Sequence, residues 1–136
     1  YGHWMNREDR VAVPWMAKFK RDPNPEKVVW RQSGTTHDRF YWLAVAPGHR
    51  KNGSLIVAKR KGQSFHFETM DGLDSCSLRL NDQVADLDQP ISVTLPDGTR
   101  QETRVSRTIA IIFRCLSERV DPSAIYSAEI IVNSKK

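Results

Sequence analysis

The sequence predicts a mainly β protein: an immunoglobulin-like antiparallel β-sandwich with one packed helix near the C-terminus and an N-terminal helix. Three observations carry this expectation. From Lys27 onward the chain runs in about seven or eight short alternating or doubly apolar stretches, punctuated by Gly, Pro, Asn and Asp turns. One amphipathic segment, Ile109 to Val120, interrupts these runs late in the chain. Before Lys27 the apolar residues recur at helical spacing instead.

In the opening segment Asn6 can cap a helix, Glu8 and Asp9 suit its positive first turn, and Ala12, Trp15, Met16 and Phe19 line one face. The expected helix covers about residues 7–20, with Pro14 removing a backbone donor so that it kinks or divides there. Arg21-Asp22-Pro23-Asn24-Pro25 then stops it and acts as a linker. Val28-Val29-Trp30 begins the first strand. After the turn residues Ser33-Gly34-Thr35-Thr36, the run from Arg39 to Val45 reads as one strand, apolar on both faces and in need of cover on both. Trp15 and Phe19 of the N-terminal helix, or a neighbouring domain, would suit its outer face.

Leu55-Ile56-Val57-Ala58 and the run from Ser64 to Met70 form a strand pair joined around Lys61-Gly62-Gln63, with Phe65 and Phe67 turned inward. Asp71-Gly72 turns the chain into Cys76-Ser77-Leu78-Arg79-Leu80, which alternates again. Ile91, Val93 and Leu95 make the next inward face, and Pro96-Asp97-Gly98 signals a hairpin returning through Thr99 to Val105. In the late helix Ile109, Ile112, Phe113, Leu116 and Val120 form the stripe expected to pack over the sheets, with Arg114, Glu118 and Arg119 on its polar side. Asp121-Pro122 stops that helix, and Tyr126, Ala128, Ile130 and Val132 alternate in a last strand.

A chain of 136 residues, 39% hydrophobic and 27% charged, is large and apolar enough for one self-sufficient core. No apolar run approaches the roughly 18 residues of a membrane helix, so no membrane span is expected. The 21 Lys and Arg against 16 Asp and Glu give a formal charge of +5 and make an anionic partner a legitimate candidate. The basic residues are dispersed in small groups, however, as on solvated strand edges, which favours edge protection over a nucleic-acid footprint.

Two cysteines, Cys76 and Cys115, are too few for a disulfide framework or a zinc site. Cys76 shares the apolar face of Leu78 and Leu80 and reads as a buried thiol; Cys115 lies at the margin of the helical stripe. His3, His37, His49 and His66 lack the short spacings that put two ligands on one metal, and Asp82, Asp86 and Asp88 do not fit a calcium loop. No metal or other cofactor is expected. Trp30, Tyr41 and Trp42 are the grouping that could stack on a sugar ring, with packing inside an apolar strand as the alternative role.

His3 stands in a loop just before a helix, where a general base can sit if a nucleophile and an orienting carboxylate lie within reach. No Gly-x-Ser-x-Gly elbow follows it. The blocks Gly2-His3-Trp4-Met5-Asn6, Pro14-Trp15-Met16-Ala17-Lys18-Phe19, His37-Asp38-Arg39-Phe40-Tyr41-Trp42-Leu43 and Leu78-Arg79-Leu80-Asn81-Asp82, with Asp86-Leu87-Asp88-Gln89-Pro90, resemble the C-terminal region of a bacterial α/β-hydrolase-fold family of esterase or phospholipase/carboxylesterase-like hydrolases. In that family the catalytic order is Ser, acid, His, and the His precedes the last helix of the hydrolase domain.

The resemblance implies that His3 is the general base of a site whose other members lie upstream. It also implies that residues 1–22 are the last loop and helix of the hydrolase domain, and that residues 23–136 form an appended β-sandwich accessory domain. A start at Tyr1-Gly2-His3-Trp4 without methionine reads the same way, as a cut through a larger protein. The expected function is thus non-catalytic: bracing or positioning the upstream hydrolase domain of the same polypeptide. A carbohydrate-binding or surface-binding sandwich is the alternative, and an anion or nucleic-acid binder a third.

Overall fold

The alternation that begins at Lys27 resolves, among the described residues, into nine strands. The computed structural model describes residues 10–34, 37–118 and 120–134. In chain order the strands are β1 (Lys27–Arg31), β2 (Arg39–Phe40), β3 (Leu43–Ala44), β4 (Leu55–Lys61), β5 (Ser64–Asp71), β6 (Ser75–Leu80), β7 (Ile91–Thr94), β8 (Arg100–Thr103) and β9 (Ala128–Asn133). The α-helices are α1 (Ala12–Met16) and α2 (Ile109–Glu118), and a turn of 3-10 helix covers Pro122–Ala124. One sheet has the order β1-β4-β5-β7-β8 and the other β2-β3-β6-β9.

The inward residues of both sheets meet in a single core. Val28, Trp30, Ile56, Phe65, Phe67 and Ile91 come from the first sheet, and Leu43, Leu78, Leu80, Ala128 and Val132 from the second. The Trp42 and Phe65 rings meet edge-on across the gap, with centroids 5.6 Å apart. This is the packing of a two-sheet sandwich.

Turn chemistry sets the registers. Gly62 takes φ +54 in the two-residue loop between Lys61 and Ser64, and the Ser54 hydroxyl lies so close to Gly72 (φ +75) that a β-carbon there would sit 2.9 Å from it. The sheets are not wholly antiparallel: β5 and β7 run parallel, with Ser64 opposite Ser92 and His66 opposite Thr94. The chain leaves β5 for β6 in the other sheet and comes back, so the return strand has the same direction. Gln63 fastens that return, donating to Asp86 O at 2.7 Å, accepting from Asp86 N–H at 2.8 Å and accepting Ser92 N–H on its carbonyl at 2.9 Å.

Three expectations need correction. The run from Arg39 to Val45 is not one strand but a tight hairpin, with Arg39 opposite Ala44 and Phe40 opposite Leu43. Tyr41 turns the corner at φ +53, a value bulky residues seldom adopt. The helix expected over residues 7–20 is confined, within the described residues, to Ala12–Met16 after a 3-10 turn; it buries no residue, so Trp15 and Phe19 do not cover the hairpin. Finally, α2 is rolled over. Cys115 is buried and Ile111 packs on the core, while Ile109, Phe113 and Leu116 of the expected inward stripe face solvent, Phe113 with 71% of its surface exposed.

Candidate functional site

The N-terminal arm carries the largest run of unburied apolar residues. Val11, Val13, Trp15, Met16 and Phe19 are all exposed, Trp15 at 59% and Phe19 at 63%. The Trp15 and Phe19 rings touch only at a tilt, centroids 4.7 Å apart. A five-residue helix without a side-chain cap has little stability of its own, because nucleation costs more than one turn returns. Among the described residues the arm is fastened further along. Arg21 donates to Asp121 Oδ2 at 2.6 Å and to Ser123 Oγ at 2.7 Å, and Asn24 donates to Gln83 Oε1 at 3.2 Å. The Ser123 hydroxyl and the Arg21 guanidinium together hold the Asp121 carboxyl down to about 2.

Where the arm reaches the body it meets the β2–β3 hairpin. Arg21, His37, Arg39, Phe40, Tyr41 and Asp121 line a cleft of about 400 Å³. Arg39 of this lining also joins an ionic network. Arg39 donates to the Glu118 carbonyl, and Arg79 donates to both Glu118 carboxylate oxygens, at 2.5 and 3.0 Å. Glu129 lies 3.6 Å from Arg79 and accepts from Arg114 at 3.1 Å. Burial works against the Arg79 charge, but Glu118 more than offsets it and the guanidinium pKa is raised; Glu118 in turn is lowered, chiefly by the Arg79 hydrogen bonds. The network fixes α2 to the outer face of the second sheet.

Among the described residues the sequence-predicted site residues form no common site. His3 lies outside the described residues. Trp30 and Trp42 are in the core, at 2% and 0% exposure, and Trp42 Nε1 donates to Pro25 O at 2.9 Å. They cannot present a face to a sugar, because both rings are spent on inter-sheet packing; Tyr41 is half-buried against Phe40. His37 is exposed, and Asp38 pairs with Arg50 at 2.5 Å. Asp82 and Asp88 both clamp Arg107, and Asp86 Oδ1 accepts Asp88 N–H, so these three carboxylates shape the 81–90 loop. Both cysteines are free and buried, and burial pushes the Cys76 thiol up to about 12. Among the described residues no three His, Cys, Asp or Glu side chains converge as a metal cage, and no helix is long and apolar enough to cross a membrane.

Much of the basic charge is locally neutralised. Lys27 and Lys59 share Glu68, Arg100 pairs with Glu102, and Arg79 and Arg114 pair with Glu118 and Glu129. Sequence reasoning missed Arg79, which alternation places outward and hence in water. Its signal was the pair of carboxylates, Glu118 in α2 and Glu129 in β9, the strand that pairs with β6. Chemically the described surface offers apolar contact and ion pairs. No family model matches the chain, and neither a curated protein nor a solved structure does.

Proposed function

We propose that this chain is a non-catalytic accessory domain, a sandwich immunoglobulin-like in the broad sense, that braces or positions a hydrolase domain of the same polypeptide. The observation that carries the reading is the arm of residues 11–19, whose apolar side chains find nothing to bury against among the described residues. Such a segment becomes favourable only when another surface takes those side chains out of water. Residues 1–22 would belong to that neighbour and residues 23–136 to the accessory domain, with His3 as the base of the neighbour's serine-hydrolase site. The outward stripe of α2 offers a second apolar contact. Against the carbohydrate reading stands the burial of Trp30 and Trp42.

The test is Trp15→Asp combined with Phe19→Asp. Both side chains are exposed, so the isolated chain should keep its melting temperature to within a few degrees. The full-length polypeptide should lose thermal stability and esterase activity. Unchanged stability and activity in the full-length double variant would overturn the bracing role, and hydrolysis of a short-chain ester by this chain alone would overturn its being non-catalytic.

A further inference from the structure

The two sheets end in strands that are protected unequally. β1 exposes Lys27 and Arg31 and β8 exposes Arg100 and Glu102, and the Lys27, Arg100 and Glu102 ends stay largely in water although they are paired, which deters a further strand, while β2 is only two residues long. β9 is the outer strand of its sheet, six residues long, and has no such device. Its outward side chains are Glu129, paired with Arg79 and Arg114 and with only 14% of its side chain exposed, then Ile131, 55% exposed, and Asn133.

The backbone register shows which groups face out. β9 pairs with β6 from Ser75 opposite Asn133 to Leu80 opposite Ala128, and Ser134 N–H donates to Asp74 O at 2.8 Å in the same register. The alternation of an antiparallel ladder then turns the amides and carbonyls of Ala128, Ile130 and Val132 toward β6, and those of Glu129, Ile131 and Asn133 away from it. The Ser127 carbonyl just before them is taken by Thr108 N–H at 2.7 Å. Among the described residues nothing takes the three that follow.

We propose that β9 is the surface through which two copies of this chain associate, joining their four-stranded sheets into one across a two-fold axis at Ile131. A two-fold axis there sets Ile131 opposite its own copy and Glu129 opposite Asn133. These are the residues whose backbone groups face outward, so every facing pair exchanges both of its hydrogen bonds. The occupant is a second copy because the edge is complementary to itself: apolar meets apolar at the axis, and the sole charged residue, Glu129, meets a neutral amide rather than another carboxylate. This association is separate from the bracing contact of the arm and does not depend on it.

Sedimentation velocity of the 136-residue chain over a range of concentrations should show a monomer–dimer equilibrium. Ile131→Lys sets two like charges against each other at the axis and should weaken association about tenfold or more while leaving the monomer folded. In Ile131→Cys the two α-carbons would sit about 5.5 Å apart, inside the range a disulfide spans, so mild oxidation should trap a covalent dimer. Val29→Cys, equally exposed on the β1 edge, should not be trapped. The proposal is overturned if the chain stays monomeric throughout, if Val29→Cys cross-links as readily as Ile131→Cys, or if Phe113→Asp on α2 dissociates the dimer while Ile131→Lys does not.

Discussion

Replacing Glu118 by Ala removes the acceptor that fixes α2 to the sheet. Arg79 has only 7% of its side chain exposed and directs two hydrogen bonds at Glu118. Breaking a buried ion pair from one side costs about 3–5 kcal/mol, because the remaining charge stays out of water without compensation. Two features draw the figure to the low end. Glu118 is itself 25% exposed, and Glu129 remains 3.6 Å from Arg79 to carry part of its charge. A loss of about 3 kcal/mol follows, which for this chain length lowers the melting temperature by about 10 °C. Circular dichroism against temperature and urea measures it. The companion double variant Arg79→Met with Glu118→Leu leaves Glu129 with Arg114 and should lie within about 1 kcal/mol of the parent, since an apolar pair of similar volume replaces an ion pair nearly without loss. If Glu118→Ala costs less than about 1 kcal/mol, the worth of an exposed pair, then water screens the network and the argument for its role fails.

Other outcomes follow from the same geometry. Glu118 has its carboxyl lowered by Arg79, so its stabilisation is complete above the unfolded value near 4.5 and fades as pH falls through the lower folded value. Acidification below about pH 4 should thus expose Cys115, under α2, to a thiol reagent before Cys76, and simultaneous labelling would count against it. At pH 8 the Cys76 thiol, pushed up to about 12 by burial, should stay unlabelled until the chain unfolds; rapid native labelling would contradict its placement. Gly72→Ala meets both a positive φ and the Ser54 hydroxyl, whereas Gly53→Ala at φ +85 meets open space. The first should cost about 1 kcal/mol more than the second in urea unfolding, and equal costs would mean Ser54 simply moves aside.

Period-two alternation placed β5 and β6 and the inward faces of β7 and β9, because one polar and one apolar face leave a strand a single choice of orientation. Glycines at Gly62 and Gly98 marked hairpins for the same reason: only glycine enters those turns without strain. The Arg39–Val45 run was not legible because it is apolar on both faces and so carries no phase, and its corner residue, Tyr41, has no turn signature. The parallel β5–β7 pair depends on Gln63 holding a distant loop, a contact that leaves no periodic trace. The ionic network was hidden likewise. An arginine between two leucines looks like a solvent-facing residue until a helix 30 residues later supplies its carboxylate.

The orientation of α2 shows how charge can overrule apolar area. Rolled so that Ile109, Phe113 and Leu116 met the sheet, the helix would gain about 2 kcal/mol for each side chain buried. It would lose the burial of Cys115 and part of that of Ile111, and it would leave Arg79 without Glu118, at about 3–5 kcal/mol. The losses are of the same size as the gains, so the ion pair can hold the helix with its richer apolar stripe outside. A neighbour covering that stripe would recover the same 2 kcal/mol or so per side chain without disturbing Arg79, and by excluding water would strengthen the pair beneath. Phe113→Asp should therefore change the stability of the isolated chain by no more than about 0.5 kcal/mol, as at any exposed position. In a longer polypeptide whose neighbouring domain covers the stripe, as proposed above, the same substitution should lower thermal stability measurably. An equal and negligible effect in both would mean that the stripe is covered by nothing, and that α2 contributes its buried face alone.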